Sequence, residues 1–216
     1  MTRQKLLAYS ADVLMGILFT IIAIAVALLI TINFKPLFYF DIDHLGLVEF
    51  SGFSEEVIKR NYDALIEYCS PFFTDSLKFP DFVASESGLF HFEEVKVIFN
   101  FIYMCGLTCL LIYIPMSIYK IKKKSYSFIK VSAATAILLP AIAAVLCAIN
   151  FNKLFILFHE IVFNNDDWLF NYKTDPVILI LPEEFFMHCL IMIIVLIIVF
   201  SAIMLFVHKL IKKKSS

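Results

Sequence analysis

The segment from Phe158 to Trp168 carries a dense cluster of polar side chains between two long apolar runs. It contains His159, two asparagines, two aspartates and the only tryptophan of the chain, Trp168. A second polar segment, Ser85 to Lys96, carries His91 and ends where another apolar run begins. Histidine is the side chain most often used in general acid–base catalysis, because its ordinary pKa lies near neutral pH. The two segments together predict acid–base chemistry by His91 and His159 at a membrane surface.

The surroundings predicted for each histidine favour the neutral imidazole, which is the form that accepts a proton. His91 lies where a helix is expected to begin, and the partial positive charge at a helix N-terminus disfavours an imidazolium. Phe155 and Phe163 lie one helical turn on either side of His159, and apolar surroundings act in the same direction. We expect carboxylates to orient both rings. The alternative for each is a histidine that hydrogen-bonds at the level of the lipid headgroups.

Other catalytic chemistries have little support in the sequence. His159-Glu160 begins like the zinc motif H-E-x-x-H, but its last position is Phe163. The chain has neither a G-x-S-x-G nucleophile elbow nor a glycine-rich phosphate loop. Its five cysteines show no metal-ligand spacing and no disulfide pattern. We therefore expect no cofactor and no bound metal; a metal held by His91, His159 and outer carboxylates is the alternative that these residues leave open.

The composition is that of a membrane protein. Hydrophobic residues make up 61% of the chain and the mean hydropathy is +0.88, whereas a soluble domain is roughly 45–50% apolar. Four apolar runs have about the twenty residues that a transmembrane helix needs. We predict an all-α membrane protein with one integral membrane domain over residues 1–216. Its four transmembrane helices are predicted at about 12–32, 97–119, 131–149 and 188–208.

The positive charges predict the orientation in the membrane. Basic residues accumulate before the first span, between the second and third, and after the fourth: Arg3, Lys5, Lys120, Lys122, Lys123, Lys124, Lys130, Lys209, Lys212, Lys213 and Lys214. The positive-inside rule therefore places both termini in the cytoplasm of a multi-pass cell-membrane protein. Two extracellular loops, 33–96 and 150–187, then hold His91 and His159 on the outer face. The lysines indicate contacts with membrane lipids and no nucleic-acid partner.

Both outer loops are predicted to contain interfacial helices. Ser54 is a good N-cap with acidic residues after it, and an apolar stripe runs on to Cys69: Ile58, Tyr62, Leu65, Ile66 and Cys69. Three arrangements are open for this helix: it lies along the bilayer surface, it caps a cavity, or it packs on the outer surface of the protein. Apolar residues between Leu154 and Val162 also recur at helical spacing. Of the remaining histidines, His44 is interpreted as a loop residue, His188 as a span-boundary residue and His208 as an interfacial residue.

In these residues the chain resembles the bacterial lipoprotein intramolecular transacylases (Lit), four-span membrane proteins of low-GC Gram-positive bacteria. The resemblance covers essentially the whole chain in the order of its motifs, its loop sizes and its spans. It departs at Phe92 and Glu94, where Met and Asp are more usual, and both changes keep the chemical type. The matching pieces are Asn61-Tyr62 with Leu65 and Tyr68; Ser85-Glu86, His91-Phe92 and Glu94-Val95-Lys96; Phe158-His159, Phe163, Asn165-Asp166 and Trp168; and Asp175, Leu181-Pro182-Glu183 and Phe185-Phe186.

The resemblance implies an acyltransferase that modifies lipoproteins. Its substrate would be a diacylglyceryl-modified lipoprotein, whose sn-2 acyl chain moves from the glycerol oxygen to the α-amine of the N-terminal cysteine. The product would be the N-acylated lyso-lipoprotein, an N-acyl S-monoacylglyceryl form. The two essential histidines of the family correspond to His91 and His159. Supporting or substrate-binding roles are expected for Tyr62, Glu86, Glu94, Lys96, Asn165, Asp166 and Trp168.

Two alternatives belong to other functional classes. A non-enzymatic four-span scaffold or binding protein would use its outer loops to hold a partner, and would need no chemistry from the histidines. A metal-dependent membrane hydrolase would use them as ligands, and metal content would distinguish it.

Overall fold

The computed structural model describes residues 3–72 and 75–215, with the side chains of residues 3–5, 214 and 215 outside the described part. All regular elements of these residues are helical, so the all-α prediction is confirmed. The helices are α1 (Arg3–Asn33), α2 (Lys35–His44), α3 (Leu47–Ser51), α4 (Glu55–Tyr68), α5 (Glu86–Lys122), α6 (Ser127–Val162) and α7 (Glu183–Ser215), with a 3₁₀ turn at Pro176–Leu179.

Four of these helices, α1, α5, α6 and α7, are long and apolar enough to cross a membrane, as predicted. Each continues past the apolar run that marked its predicted span, and α5 begins at Glu86. The Ser85 hydroxyl accepts the Gly88 N–H at 3.0 Å and so caps α5, which draws the polar residues after Ser85 into the helix. His91 therefore lies inside α5, in its second turn. The cytoplasmic placement of both termini remains a prediction.

The contacts divide the chain into two compact units. The first contains the described residues up to 29, residues 102–145 and those from 191 onward. Small residues fill one of its cores, where Ala27 and Ala136 are fully buried beside Ile197. Small side chains allow close helix contacts in membranes: a Cβ on Gly106 would lie 2.4 Å from the Cβ of Ala25.

The second unit contains residues 30–101 and 146–190, and includes both predicted histidines. Its core is rich in aromatic residues: Phe38 of α2 stacks on Tyr62 of α4 with 3.6 Å between ring centroids. The sequence did not predict α2 or α3. Pro36 lies at the start of α2, where its missing N–H removes no helical hydrogen bond. Gly46, at φ +62°, then makes the turn into α3.

Helix α4 confirms the prediction made for residues 54–69. The Ser54 hydroxyl accepts the Val57 N–H at 3.4 Å and caps the helix. In the predicted stripe, Ile58 is 0% and Leu65 6% exposed, both within the aromatic core. One face of α4 therefore packs on the aromatic core of the protein.

Helix α6 contains a break that matters for the site. Asn150 has an extended backbone, with φ −167° and ψ 99°. Its Oδ1 accepts the Lys153 N–H at 2.9 Å, as an N-cap does. The part of α6 from Phe151 to Val162, which carries His159, is thus a helical segment with its own N-terminal cap.

Candidate active site

The structure brings His91 and His159 together within the second unit. Their ring centroids are 5.9 Å apart and the ring planes differ by 33°. His91 projects from the second turn of α5, and His159 lies in the last turn of α6. Both residues are buried, at 5% and 9% exposure. The pairing that the two polar segments predicted is therefore present in the fold.

Aromatic rings surround the two imidazoles. The ring of Phe163 lies edge-to-face on His91, with centroids 4.6 Å apart, and stacks beside His159 at 5.5 Å. Phe170 approaches His91 edge-on at 5.5 Å. Trp168 lies 4.8 Å from the His159 ring. These rings exclude water from the imidazole pair, and they leave few polar groups nearby to solvate a charge.

Backbone and aromatic contacts orient the imidazoles, where we had expected carboxylates. Nδ1 of His159 donates a hydrogen bond to the Phe155 carbonyl oxygen at 2.7 Å. A carbonyl can only accept, so the proton of neutral His159 is on Nδ1 and its lone pair is on Nε2. Nδ1 of His91 is buried and has no hydrogen-bond partner among the described residues. The two rings therefore present different chemistry to a substrate between them.

A hydrogen-bonded pair joins α5 to the loop that follows α6. Nδ2 of Asn165 donates to both Glu94 oxygens, at 2.9 and 3.1 Å. Oδ1 of Asn165 accepts the Asp167 N–H at 3.1 Å. The Asn165 amide is therefore engaged in holding this loop, next to Trp168. Supporting or substrate-binding roles for Glu94, Asn165 and Trp168 remain predictions.

The other predicted supporting residues lie in different surroundings. Tyr62 is in the aromatic core. The Lys96 ammonium lies 4.1 Å above the ring of Tyr68, a cation–π contact with α4. Glu86 and Asp166 are exposed. Substrate binding by these four residues remains a prediction.

Sequence reasoning missed a buried ionisable pair in the second unit. Asp41 is 0% exposed, and both of its carboxylate oxygens lie 2.9 Å from Nδ1 of His188. The Nδ1–H of His188 is thus the donor that satisfies a buried carboxylate. Helical spacing offered one signal, since Asp41 lies on the same face as Phe38 and beside Ile42, both fully or almost fully buried.

The described residues contain no cluster of three or more His, Cys, Asp or Glu side chains able to hold a metal ion. Among the described residues, the rings of His91 and His159 contact aromatic groups and, through Nδ1 of His159, one backbone carbonyl. A metal site would need a third ligand there. The arrangement suits proton transfer between two imidazoles and a substrate.

Comparisons with known proteins agree with one another. Residues 13–186 match the family model described as lipoprotein intramolecular transacylase Lit. The in meso structure of the membrane integral lipoprotein intramolecular transacylase Lit from Bacillus cereus is 34% identical, with a TM-score of 0.93 over 96% of each chain. Two structures of the B. cereus protein with one histidine changed, to arginine and to alanine, are 33% identical with TM-scores of 0.90. Those matches cover 98% of this chain and 95% and 96% of the other two. No curated protein matches the chain.

Proposed function

The chain belongs to the lipoprotein intramolecular transacylase family, whose model matches residues 13–186, and from this premise we propose the reaction and its catalytic groups. The protein is a membrane acyltransferase that acts on lipoproteins. In the proposed reaction, the sn-2 acyl chain of a diacylglyceryl-cysteine lipoprotein moves from the glycerol oxygen to the α-amine of the N-terminal cysteine. The product is the lyso form, an N-acyl S-monoacylglyceryl lipoprotein.

One observation carries this proposal: two buried imidazoles lie 5.9 Å apart, and the hydrogen bond from Nδ1 of His159 to a backbone carbonyl leaves Nε2 as its basic atom. We assign the general base to His159. An unpaired buried N–H is rarer than an unpaired buried acceptor, so the unpartnered Nδ1 of His91 carries the lone pair. Nε2–H of His91 is then a donor. The pair thus supplies one proton acceptor and one proton donor.

The proposed steps conserve protons and need no second substrate. The neutral α-amine, whose conjugate acid has a reference pKa of about 7.7–8.0, attacks the ester carbonyl carbon through its nitrogen. As the N–C bond forms, Nε2 of His159 takes one of the two N–H protons. Nε2–H of His91 donates a hydrogen bond to the oxyanion of the tetrahedral intermediate. The C–O bond to the sn-2 oxygen then breaks, and the proton held by His159 passes to that oxygen. An amide and a free hydroxyl result.

The surroundings of the pair favour transfer over hydrolysis. Water that attacked the ester carbonyl in place of the amine would release a fatty acid and waste the ester. Phe163, Phe170 and Trp168 cover the two imidazoles. Donor and acceptor belong to one molecule, so the enzyme needs only to fold the headgroup into a ring; positioning of this kind is worth about 7–11 kcal/mol. We place this site on the extracellular face, where the positive-inside rule puts both segments.

Mass spectrometry of a lipoprotein N-terminal peptide tests the proposal. Cells that carry the gene are expected to give a peptide with one acyl group on nitrogen and one on glycerol. Cells without it are expected to give the diacylglyceryl peptide with a free amine. The two products have equal mass, so fragmentation must locate the acyl chain. A peptide acylated only on glycerol in both strains would overturn the proposal.

A further inference from the structure

We propose that Asp175 is a positioning residue for His91: it fixes the first turn of α5 and the ring of Phe170 against the imidazole. This inference rests on the function proposed above, in which His91 donates to the oxyanion. Asp175 is separated in sequence from both histidines and lies just before the 3₁₀ turn. It is nevertheless 3% exposed, which is unusual for a carboxylate.

The Asp175 carboxylate is satisfied mainly by the N-terminus of α5. Oδ1 accepts the Ser85 backbone N–H at 2.8 Å and the Ser85 hydroxyl at 3.0 Å. Oδ2 accepts the Thr174 hydroxyl at 2.6 Å. Ser85 is itself the cap of α5, through the Gly88 N–H. Asp175 therefore anchors Ser85, the residue that caps α5. Its negative charge lies at the helix end where the helix dipole stabilises it.

The absence of a side chain at Gly88 lets Asp175 approach α5. A Cβ on Gly88 would lie 2.3 Å from Oδ1 of Asp175 and 3.1 Å from a ring carbon of Phe170. Both contacts are shorter than a side chain tolerates without displacement of its neighbours. The segment from Phe170 to Asp175 is thus seated on the first turns of α5 in van der Waals contact.

Two sets of contacts link Asp175 to His91. The first runs through Ser85 and the capped turns of α5 that carry His91. The second runs through the turn in which the Asp175 N–H donates to the Asn171 carbonyl at 2.8 Å, next to Phe170, whose ring lies 5.5 Å from the imidazole. Loss of the carboxylate would keep this backbone hydrogen bond but would detach the turn from Ser85, so that the start of α5 and Phe170 would no longer be held against each other. Asp175 does not contact the reacting atoms, so its role is to position His91.

The test compares Asp175→Ala with Asp175→Asn and with a matched control, Asp81→Ala. Asparagine keeps Oδ1 for both Ser85 donors, and its Nδ2 can donate to the Thr174 hydroxyl. The control removes another carboxylate of the second unit that joins a loop to a helix: Asp81 accepts from Arg60 at 2.6 Å and from Asn61 at 2.8 Å. Among the described residues, the hydrogen-bond partners of Asp81 are Arg60 and Asn61 of α4, and not α5 or the histidines.

Kinetics on a purified diacylglyceryl lipopeptide in detergent separate positioning from general destabilisation. Asp175→Ala is expected to lower kcat by about 10²-fold, the loss typical of a displaced catalytic group, with KM within about threefold. Asp175→Asn is expected to stay within about threefold in kcat. Asp81→Ala is expected to melt earlier with its kcat preserved. A wild-type kcat in folded Asp175→Ala, or an equal kcat loss in Asp81→Ala, would overturn the inference.

Two further measurements cover the remaining outcomes. If Asp175→Ala does not fold, Ser85→Ala removes one of the same hydrogen bonds and is expected to lower kcat by about tenfold; unchanged kcat there would refute the role. If the wild-type protein shows no acyl transfer, the proposed function fails, and amide hydrogen exchange of residues 85–92 decides the positioning claim alone. Exchange in Asp175→Ala must then rise at least tenfold, and equal exchange would refute it.

Discussion

Replacing His159 with asparagine should remove catalysis while it keeps the structural hydrogen bond of this residue. In the wild-type protein, Nδ1 of His159 donates to the Phe155 carbonyl oxygen at 2.7 Å. The amide nitrogen of asparagine reaches about as far as Nδ1 of histidine, so it can still donate to this oxygen. What it lacks is Nε2, the proposed base. We therefore expect His159→Asn to fold and insert normally, and to lose about 10²–10⁴-fold in rate, the usual contribution of one general base.

Alanine at the same position should cost stability as well as rate. His159 is 9% exposed, so truncating its side chain removes buried contacts. His159→Ala loses the hydrogen bond to Phe155 and ring contacts with Phe155 at 4.3 Å and Trp168 at 4.8 Å. With about 0.5–1.5 kcal/mol for each of these three, the loss is roughly 1.5–4.5 kcal/mol. The difference in unfolding free energy between the wild-type protein and the alanine variant measures this sum, and the difference between the alanine and asparagine variants measures the hydrogen bond alone.

The assay is conversion of a diacylglyceryl lipopeptide, with the acyl position fixed by fragmentation. His91→Asn is expected to be equally impaired, and the double variant little worse than either, because residues that act on one proton cycle are not additive. His208→Ala, in the first unit, serves as the control and should remain near wild type. Conversion at close to the normal rate by folded His159→Asn would refute the assignment of the base.

Three other predictions follow from the charges and the burial of single groups. Cysteines placed at Lys122–Lys124 should be labelled only from the cytoplasm; labelling from outside intact cells would invert the topology and the site with it. Activity should survive incubation with EDTA, whereas loss of activity that zinc restores would favour the metal-dependent hydrolase. Burial raises the pKa of the Cys69 thiol to about 12, so at pH 8 the reactive thiolate is scarce. Alkylation of Cys69 in the folded protein should thus be at least about 10²-fold slower than in urea, measured by peptide mass spectrometry, and comparable rates would contradict this burial.

The membrane helices could be predicted from the sequence because their length and hydropathy identify them independently of tertiary contacts. Helix α4 could be predicted for a similar reason, since its N-cap Ser54 and its regular apolar stripe are local signals. Helices α2 and α3 are short, and their boundaries depend on Pro36 and on the left-handed turn at Gly46 within a polar loop. Such elements are stabilised by the core they pack on, which the local pattern does not reveal.

The candidate site was predictable in its two histidines and not in what surrounds them. His91 and His159 stand out because they lie beside apolar runs in polar segments. The Phe155 carbonyl that orients His159 is a backbone group, which no residue type signals. The pair of Asp41 and His188 joins positions 147 residues apart, beyond any spacing argument. We therefore interpreted His188 as a boundary residue, although it satisfies a buried carboxylate.

The break at Asn150 has a consequence for how the protein can change over evolution. In an uninterrupted helix, one inserted residue turns everything after it by about 100° and would carry a catalytic side chain off its target. Here the extended backbone of Asn150 interrupts the helix, and its side chain caps a new helical segment by accepting the Lys153 N–H. We expect insertions or deletions between 127 and 149, of the kind that adapt a span to bilayer thickness, to be compensated by the backbone of Asn150. Related sequences should accordingly vary in length before Asn150 more readily than between Asn150 and His159.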